Sequence, residues 1–169
     1  MVEADTMTVV TPTLDPGLPR RYADFDTLVD AIEYAAQGQR GPNFFNAKGD
    51  LVETQTWREI RDRAAEIGRK LVGLGFKKGD RIAVIAETSA NFVAFFVGCQ
   101  YASVLPVPLP LPTSFGGRDG YVAQLKMQMD SCGANGIMAP SFMEEMIAKA
   151  SEGRDLIFSG SLEDYLATD

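Results

Sequence analysis

Residues 81–86, Arg-Ile-Ala-Val-Ile-Ala, limit the possible folds of this chain more than any other stretch. The run is short, rich in β-branched side chains and apolar at consecutive positions. That pattern predicts a strand buried on both faces, which belongs in a parallel sheet covered by helices. The flanking segments supply the helices. Upstream, residues 57–72 place Trp57, Ile60, Ala64, Ile67 and Leu71 at three- and four-residue steps, with Leu74 just beyond, forming one apolar stripe backed by a charged face. Thr56 and Glu59 have the spacing of a capping box at its start, and Gly75 is placed to stop it. Glu59 with Arg63 and Glu66 with Lys70 are expected as i,i+4 pairs on the solvent side. Downstream, residues 91–102 are too long and too aromatic for a strand. They predict an almost wholly buried helix, with Phe92, Phe95, Phe96 and Cys99 on one face and Val93 and Val97 on its flank.

The alternation extends in both directions. Leu28, Ala31, Ile32 and Ala35 recur at helical spacing over residues 27–37, with Asp26 as the expected cap and Gly38 at the end. Residues 43–46 and 51–55 flank a Gly-containing turn and predict a small β-hairpin. A strand is expected at 104–107, after which the prolines at 106, 108, 110 and 112, lacking an N–H, should take the chain out of the sheet. A helix at 118–131 with a Val122, Leu125, Met129 and Cys132 stripe, a strand at Ile137–Met138, a helix at 142–150 and a strand at 156–158 complete the series. The fold class this predicts is α/β: a mainly parallel sheet flanked by helices in right-handed βαβ units, preceded by a small β-hairpin. At 169 residues the chain has the size of one ordinary domain, enough to bury roughly 70% of the surface of the unfolded form.

Several function classes drop out. Net charge is −7 and no Lys/Arg cluster offers the surface that nucleic acid requires. There is no histidine, which removes the usual general base, the commonest metal ligand and any Ser-His or Cys-His nucleophile pair within this chain. Cys99 and Cys132 lie in apolar-periodic segments and read as two buried free thiols in a reducing compartment. Residues 1–20 lack the basic start and apolar centre of a signal peptide and read as a flexible or loosely docked tail. No apolar run approaches the roughly 20 residues needed to span a bilayer, so a cytoplasmic location is expected. Met127, Met129, Met138, Met143 and Met146 could line a pocket, but their spacing fits core filling better. Gly116-Gly117 lacks the spacing of a phosphate-binding loop and has Asp119 nearby. Asp80 and Glu87 stand roughly 20 Å apart at opposite ends of one strand, too far to act on one bond. Lys77, Lys78 and Arg81 fit a solvated strand entrance.

The segment WREIRDRAAEIGRKLVGLGFKKGDRIAVIAETSANFVAFFVGCQYASVLPVPL, residues 57–109, resembles the amino-terminal region of the adenylate-forming superfamily. That superfamily comprises acyl-CoA synthetases, fatty acyl-AMP ligases and nonribosomal adenylation domains. Its ordered pattern is met by Thr56, Trp57, Glu59 and Ile60, then Leu71 and Gly75, then Gly79, Asp80, Arg81 and Ile82, then Asn91 and Phe95, then Pro106 and Val107. Ala102-Ser103 stands where a Gly-Ala step is usual. The exit PVPLPLP at 106–112, the loop at 114–117 and the helix led by Arg118 are most similar to fatty acyl-AMP ligases. The resemblance implies a parent enzyme that activates a long-chain fatty acid with ATP and Mg²⁺ and passes the acyl-adenylate to an acyl carrier protein. The alternatives are an acyl-CoA synthetase, with coenzyme A as acceptor, and a non-catalytic α/β binding module.

In that family's order the phosphate-binding loop, the adenine segment, the ribose-binding Asp and the carboxy-terminal Lys all follow residue 169. The resemblance therefore implies that residues 21–169 form an amino-terminal α/β subdomain truncated before the ATP-binding motifs and inactive alone. No catalytic, cofactor-binding or metal-binding residue is expected within it. Phe92, Phe96 and Phe115 are candidates for one wall of the acyl tunnel. An uncovered sheet edge, with self-association through it, is a further expectation.

Overall fold

The computed structural model describes residues 17–112 and 117–167. Helix α1 (Leu28–Ala35) is capped by Thr27, whose hydroxyl accepts from the Asp30 amide while the Asp30 carboxylate returns to Thr27. Thr27 takes the place expected for Asp26 because only Thr27 has an acid three residues on to complete the box. Strands β1 (Asn43–Phe45) and β2 (Leu51–Thr54) form the expected antiparallel hairpin. Its turn is held by Asn46, whose side-chain oxygen accepts from the Lys48 and Asp50 amides, and by Gly49 at φ +88°.

Helix α2 (Trp57–Gly73) opens with the Thr56/Glu59 box. Its two expected i,i+4 ion pairs are not made. The Glu59 carboxylate is engaged by Thr56, and the Lys70 ammonium donates to the Tyr165 and Leu166 carbonyls. Arg61 instead bridges to Glu33 on α1 at 2.7 Å, and Tyr101 donates to the same carboxylate at 2.5 Å. Unpaired carbonyls at a helix end and a second helix alongside compete better for these groups than a neighbour one turn away.

Strand β3 (Arg81–Ile85), helix α3 (Ala90–Tyr101), strand β4 (Leu105–Leu109), helix α4 (Gly117–Cys132) and strand β5 (Gly136–Met138) follow. A 3₁₀ turn at Ser141–Met143 then leads to helix α5 (Glu144–Ser151), strand β6 (Phe158–Gly160) and helix α6 (Leu162–Ala167). The four later strands form one sheet in the order β4-β3-β5-β6, parallel throughout. One face packs on α2, α3 and α6, through Ile67, Leu71, Phe95, Cys99, Leu162 and Tyr165. The other packs on α4 and α5, through Tyr121, Leu125, Met129, Met143 and Ile147. Both faces of β3 are thus covered, as its uninterrupted apolar run requires.

Strand β4 departs from expectation by continuing to Leu109 despite Pro106 and Pro108. Leu105 donates to Asp80 at 2.8 Å and Leu109 accepts from Ala86 at 2.8 Å. The two-residue period turns the odd positions toward β3, so the two prolines place their ring nitrogens on the open side, where no donor is needed. Strand β6 starts two residues later than expected, its register set by Ile157 donating to Asn135 and by pairing of Phe158 with Gly136. The buried face of α3 is also rotated. Ala94, Phe95, Val97, Gly98 and Cys99 are buried, whereas Phe92 and Phe96 are half-buried.

The rotation follows from the crossing with α2. A Cβ at Gly98 would stand 2.6 Å from Ile67 Cγ2 and 3.0 Å from the Ala64 carbonyl, and one at Gly68 would stand 2.8 Å from the Tyr101 Cβ. Two glycines facing each other's helix bring the axes close and turn the Phe92/Phe96 edge outward. Of the five methionines singled out from the sequence, Met129, Met138 and Met143 are core residues and Met146 is partly buried against them, while Met127 is 65% exposed. Cys99 is buried, but Cys132, at the last residue of α4, is half-buried.

Candidate functional site

Strand β3 connects through α3 to β4 on one side, and the chain then crosses through α4 to β5 on the other side of β3. The direction of winding reverses between β3 and β5. In open parallel sheets that reversal leaves a crevice beyond the carboxyl ends of the two strands, where ligands bind. A crevice of about 160 Å³ lies at this point.

Its floor is apolar: Ile85 from β3, Met138 and Ala139 from the end of β5, and Leu162 from α6. Phe92 from α3 and Phe142 from the 3₁₀ turn add two aromatic rings, with Phe142 68% exposed. Glu87, Asn91, Ser141 and Glu163 supply the polar groups.

Local interactions fix each contributor. Ala86 donates to Leu109 and Ser89 to Glu87, which turns the chain sharply after β3. The Ser89 hydroxyl then accepts from the Phe92 amide at 3.1 Å, starting α3 with Asn91 and Phe92 in its first turn. Met143 donates to Pro140 at 2.9 Å and closes the 3₁₀ turn that carries Phe142. Ser161 and Asp164 form a reciprocal cap on α6: the carboxylate accepts from the Ser161 amide at 2.8 Å and hydroxyl at 2.7 Å, and the hydroxyl accepts from the Asp164 amide. Those bonds, the backbone one foremost, hold the Asp164 carboxyl below the usual carboxylate range and seat Leu162 and Glu163 against the crevice.

Of the three aromatic residues singled out from the sequence, Phe92 lines the crevice. Phe96 lies one turn further along α3, its ring 6.1 Å from that of Phe92 and tilted by 39°, and does not line it. Phe115 lies outside the described residues. Phe142, Ser141, Leu162 and Glu163 join the crevice without having been expected there. The Ser161-x-x-Asp164 capping box is legible in the sequence and is the signal that could have revealed α6. That Phe142 and Phe92 line one crevice depends on strand order, which no local pattern encodes.

Chemically the crevice suits an apolar or aryl group. No Lys or Arg lines it, two carboxylates do, and no cluster of three or more potential metal ligands occurs among the described residues.

A parallel sheet with helices on both faces and a crevice at the winding reversal defines a doubly wound α/β ligand-binding fold. The chain belongs to the AMP-binding enzyme family, whose model matches residues 33–161. A putative acyl-CoA synthetase of Caulobacter vibrioides is 38% identical over 156 residues, 92% of this chain and 27% of the relative. A 4-hydroxyphenylalkanoate adenylyltransferase of Mycobacterium marinum is 40% identical over 69 residues, 41% of this chain and 11% of the relative. Among solved structures, one from a study of fatty acyl-adenylate ligases from E. coli and L. pneumophila overlays with a TM-score of 0.84 at 37% identity. That match covers 89% of this chain and 27% of the other. The chain thus spans 27% of the length of the relative and of the structure matched over most of its residues. Adenylate-forming enzymes use ATP with Mg²⁺, and the crevice residues do not fit the triphosphate, since they offer it two carboxylates and no cation. No described helix is long and apolar enough to cross a membrane.

Proposed function

We propose that this chain is the leading α/β subdomain of a ligase that activates a long-chain fatty acid with ATP and transfers the acyl group from the adenylate to an acyl carrier protein. The observation that carries the reading is the breadth of the match. Identity of 37–38% runs through about nine tenths of the chain, to a relative described as a putative acyl-CoA synthetase and to a structure from a study of fatty acyl-adenylate ligases. The apolar floor and the two aromatic residues of the crevice, Phe92 and Phe142, are consistent with a wall for the acyl chain, with Phe92 in contact and Phe96 behind it. Phe115 keeps its place in this reading from the sequence resemblance alone.

The subdomain on its own carries no adenylation activity. Phosphoryl and adenylyl transfer depend on cations and amides that neutralise charge as it develops, and the crevice supplies carboxylates instead. Purified, the 169-residue chain is expected to give no fatty-acid-dependent exchange of pyrophosphate into ATP, and exchange above background would overturn the reading.

The whole reaction is tested on the native polypeptide that contains this sequence, purified from its source. A native mass near 18.4 kDa would remove the proposal of a larger ligase. Given fatty acid, ATP and either holo acyl carrier protein or coenzyme A, it should form AMP and an acyl-carrier thioester. Formation of acyl-CoA instead selects the synthetase reading, and no AMP with either acceptor selects the binding module.

A further inference from the structure

A second cavity, of about 240 Å³, shares no lining residue with the crevice. It lies between the end of α1 and the start of α2, where Leu18, Tyr34, Ala35 and Trp57 supply mainly apolar walls. Arg20 and Arg40 also line it. The segment on which Leu18 and Arg20 sit is tied down. Tyr34 donates to the Pro19 carbonyl at 2.5 Å, and the Tyr34 ring packs against Phe25 at 5.5 Å with the Arg21 guanidinium 5.2 Å from the Tyr34 centroid.

The two arginines are not used up by the described residues around them. The nearby carboxylates are committed elsewhere: Asp24 to Arg21, Glu33 to Arg61 and Tyr101, and Glu59 to Thr56. Neither Arg20 nor Arg40 pairs with a carboxylate among the described residues. Arg20 stands over the Tyr22 ring at 5.5 Å, a contact with its flat face that leaves the N–H edge open. The simplest competing role, covering exposed carbonyls at the end of α1, is filled by other donors. Ile32 and Tyr34 are met by the Ala36 amide, Tyr34 also by Gln37, Ala35 by Gly38, and Ala36 by the Arg58 side chain at 3.2 Å. In a chain of net charge −7, two guanidiniums on one apolar cavity, neither paired with a described carboxylate, are a local reversal of sign.

We propose that this cavity binds an amphipathic anion, with an apolar tail between Trp57 and Tyr34 and a carboxylate or phosphate head drawn by Arg20 and Arg40. Concave apolar walls with a small number of charged groups that fix orientation are the ordinary make-up of a small-molecule site. Guanidinium forks match both head groups. The inference is independent of what the crevice binds.

Trp57 is the only tryptophan in the chain, so its emission reports on this cavity directly. The 169-residue chain is titrated, below their micelle concentrations, with decanoate, decyl phosphate, decanol and decyltrimethylammonium. The two anions should give saturable changes in Trp57 emission that weaken as salt rises, whereas the neutral and cationic amphiphiles should not. The double variant Arg20→Gln, Arg40→Gln should bind the anions about tenfold more weakly with an unchanged circular dichroism spectrum. Tighter binding of decanoate identifies a fatty-acid head and tighter binding of decyl phosphate a phospholipid-type head, and either result supports the site. Absence of a saturable change, an equal response to decanol or the ammonium compound, or undiminished affinity in the folded double variant would overturn it.

Discussion

The two faces of the parallel sheet bury similar kinds of side chain and hold them by different means. Under α2, α3 and α6 the parts are rigid: the Gly68/Gly98 crossing, and Tyr165 standing edge-on to both Phe95 and Phe158 at 5.5 and 5.4 Å while its hydroxyl donates to the Ile67 carbonyl at 2.6 Å. Under α4 and α5 much of the contact is made by Met129, Met143 and Met146, whose unbranched side chains adapt to gaps. One face is therefore specified by shape and the other by volume. The difference predicts where the chain tolerates change.

Truncating one large buried residue of each face gives the largest expected effects. Phe95→Ala should cost about 3–5 kcal/mol, because it removes a fully buried ring and its edge-to-face partner contact at once. Met129→Ala should cost about 2–4 kcal/mol, and Met129→Leu less than about 1.5 kcal/mol. Urea denaturation measures all three. If Met129→Leu proves as damaging as Phe95→Ala, the contrast between shape and volume is wrong.

Glycine substitutions sharpen the contrast at a smaller scale. Gly98→Ala forces a methyl group to within 2.6 Å of Ile67 Cγ2 and 3.0 Å of a backbone carbonyl, so the helices must separate, at about 1–3 kcal/mol. Gly120, within α4, faces open space: a methyl group there would meet nothing within 4 Å. Gly120→Ala should stabilise by about 0.5–1 kcal/mol through helix propensity alone. Thermal midpoints moving in opposite directions would bear this out, and a destabilised Gly120→Ala would contradict it.

The pH response separates the faces again. The Glu59 carboxyl is held below its usual range first by the Thr56 backbone amide, whereas that of Glu145, on α5, is lowered first by its hydrogen bond to Lys149. A carboxyl whose folded value is depressed contributes stability above the unfolded value, about 4.3 for Glu, and that stability is lost as pH falls through the folded value. Both groups therefore favour the folded state at neutral pH and cease to do so in acid. Glu59→Gln should reduce the drop in urea midpoint between neutral and acidic pH in low and high salt alike. Glu145→Gln should do so only in low salt, since an exposed ion pair is screened and a capping bond to the backbone far less.

How much of this was legible in the sequence follows the same division. The α2–β3–α3 unit is local: a capping box, a stripe at helical spacing and a continuous apolar strand, each read from neighbours in sequence. What escaped depends on partners far along the chain. Lys70 meets the end of α6, almost a hundred residues away, and the rotation of α3 is set by the glycine crossing. Strand β4 outruns its expected end because proline breaks a strand only where its nitrogen faces a partner. At an edge, prolines at alternate positions are compatible with pairing on the other side, and the spacing of 106 and 108 carries that information. Of the crevice residues, Phe92 stands out in the sequence as part of an aromatic group on one helix, whereas Phe142 and Glu163 do not, since they meet it only through the strand order.

The two cysteines turn the comparison into a kinetic measurement. Cys99 is wholly enclosed in the rigid face, and burial pushes its thiol up out of the range in which it would ionise at neutral pH. Cys132 is half-buried at the end of α4, its thiol donating to the Met129 carbonyl. A thiolate reagent should consume one equivalent readily and a second only when the α2–α3 face opens. If opening is fast relative to labelling, the slow rate follows the population of the opened form. Gly98→Ala should then accelerate labelling of Cys99 while leaving Cys132 nearly unchanged, and Met129→Leu should leave the slow phase nearly as it was. Two equally fast thiols in the native chain would mean that the glycine crossing does not seal that face, and the distinction between the two sides of the sheet would fall with it.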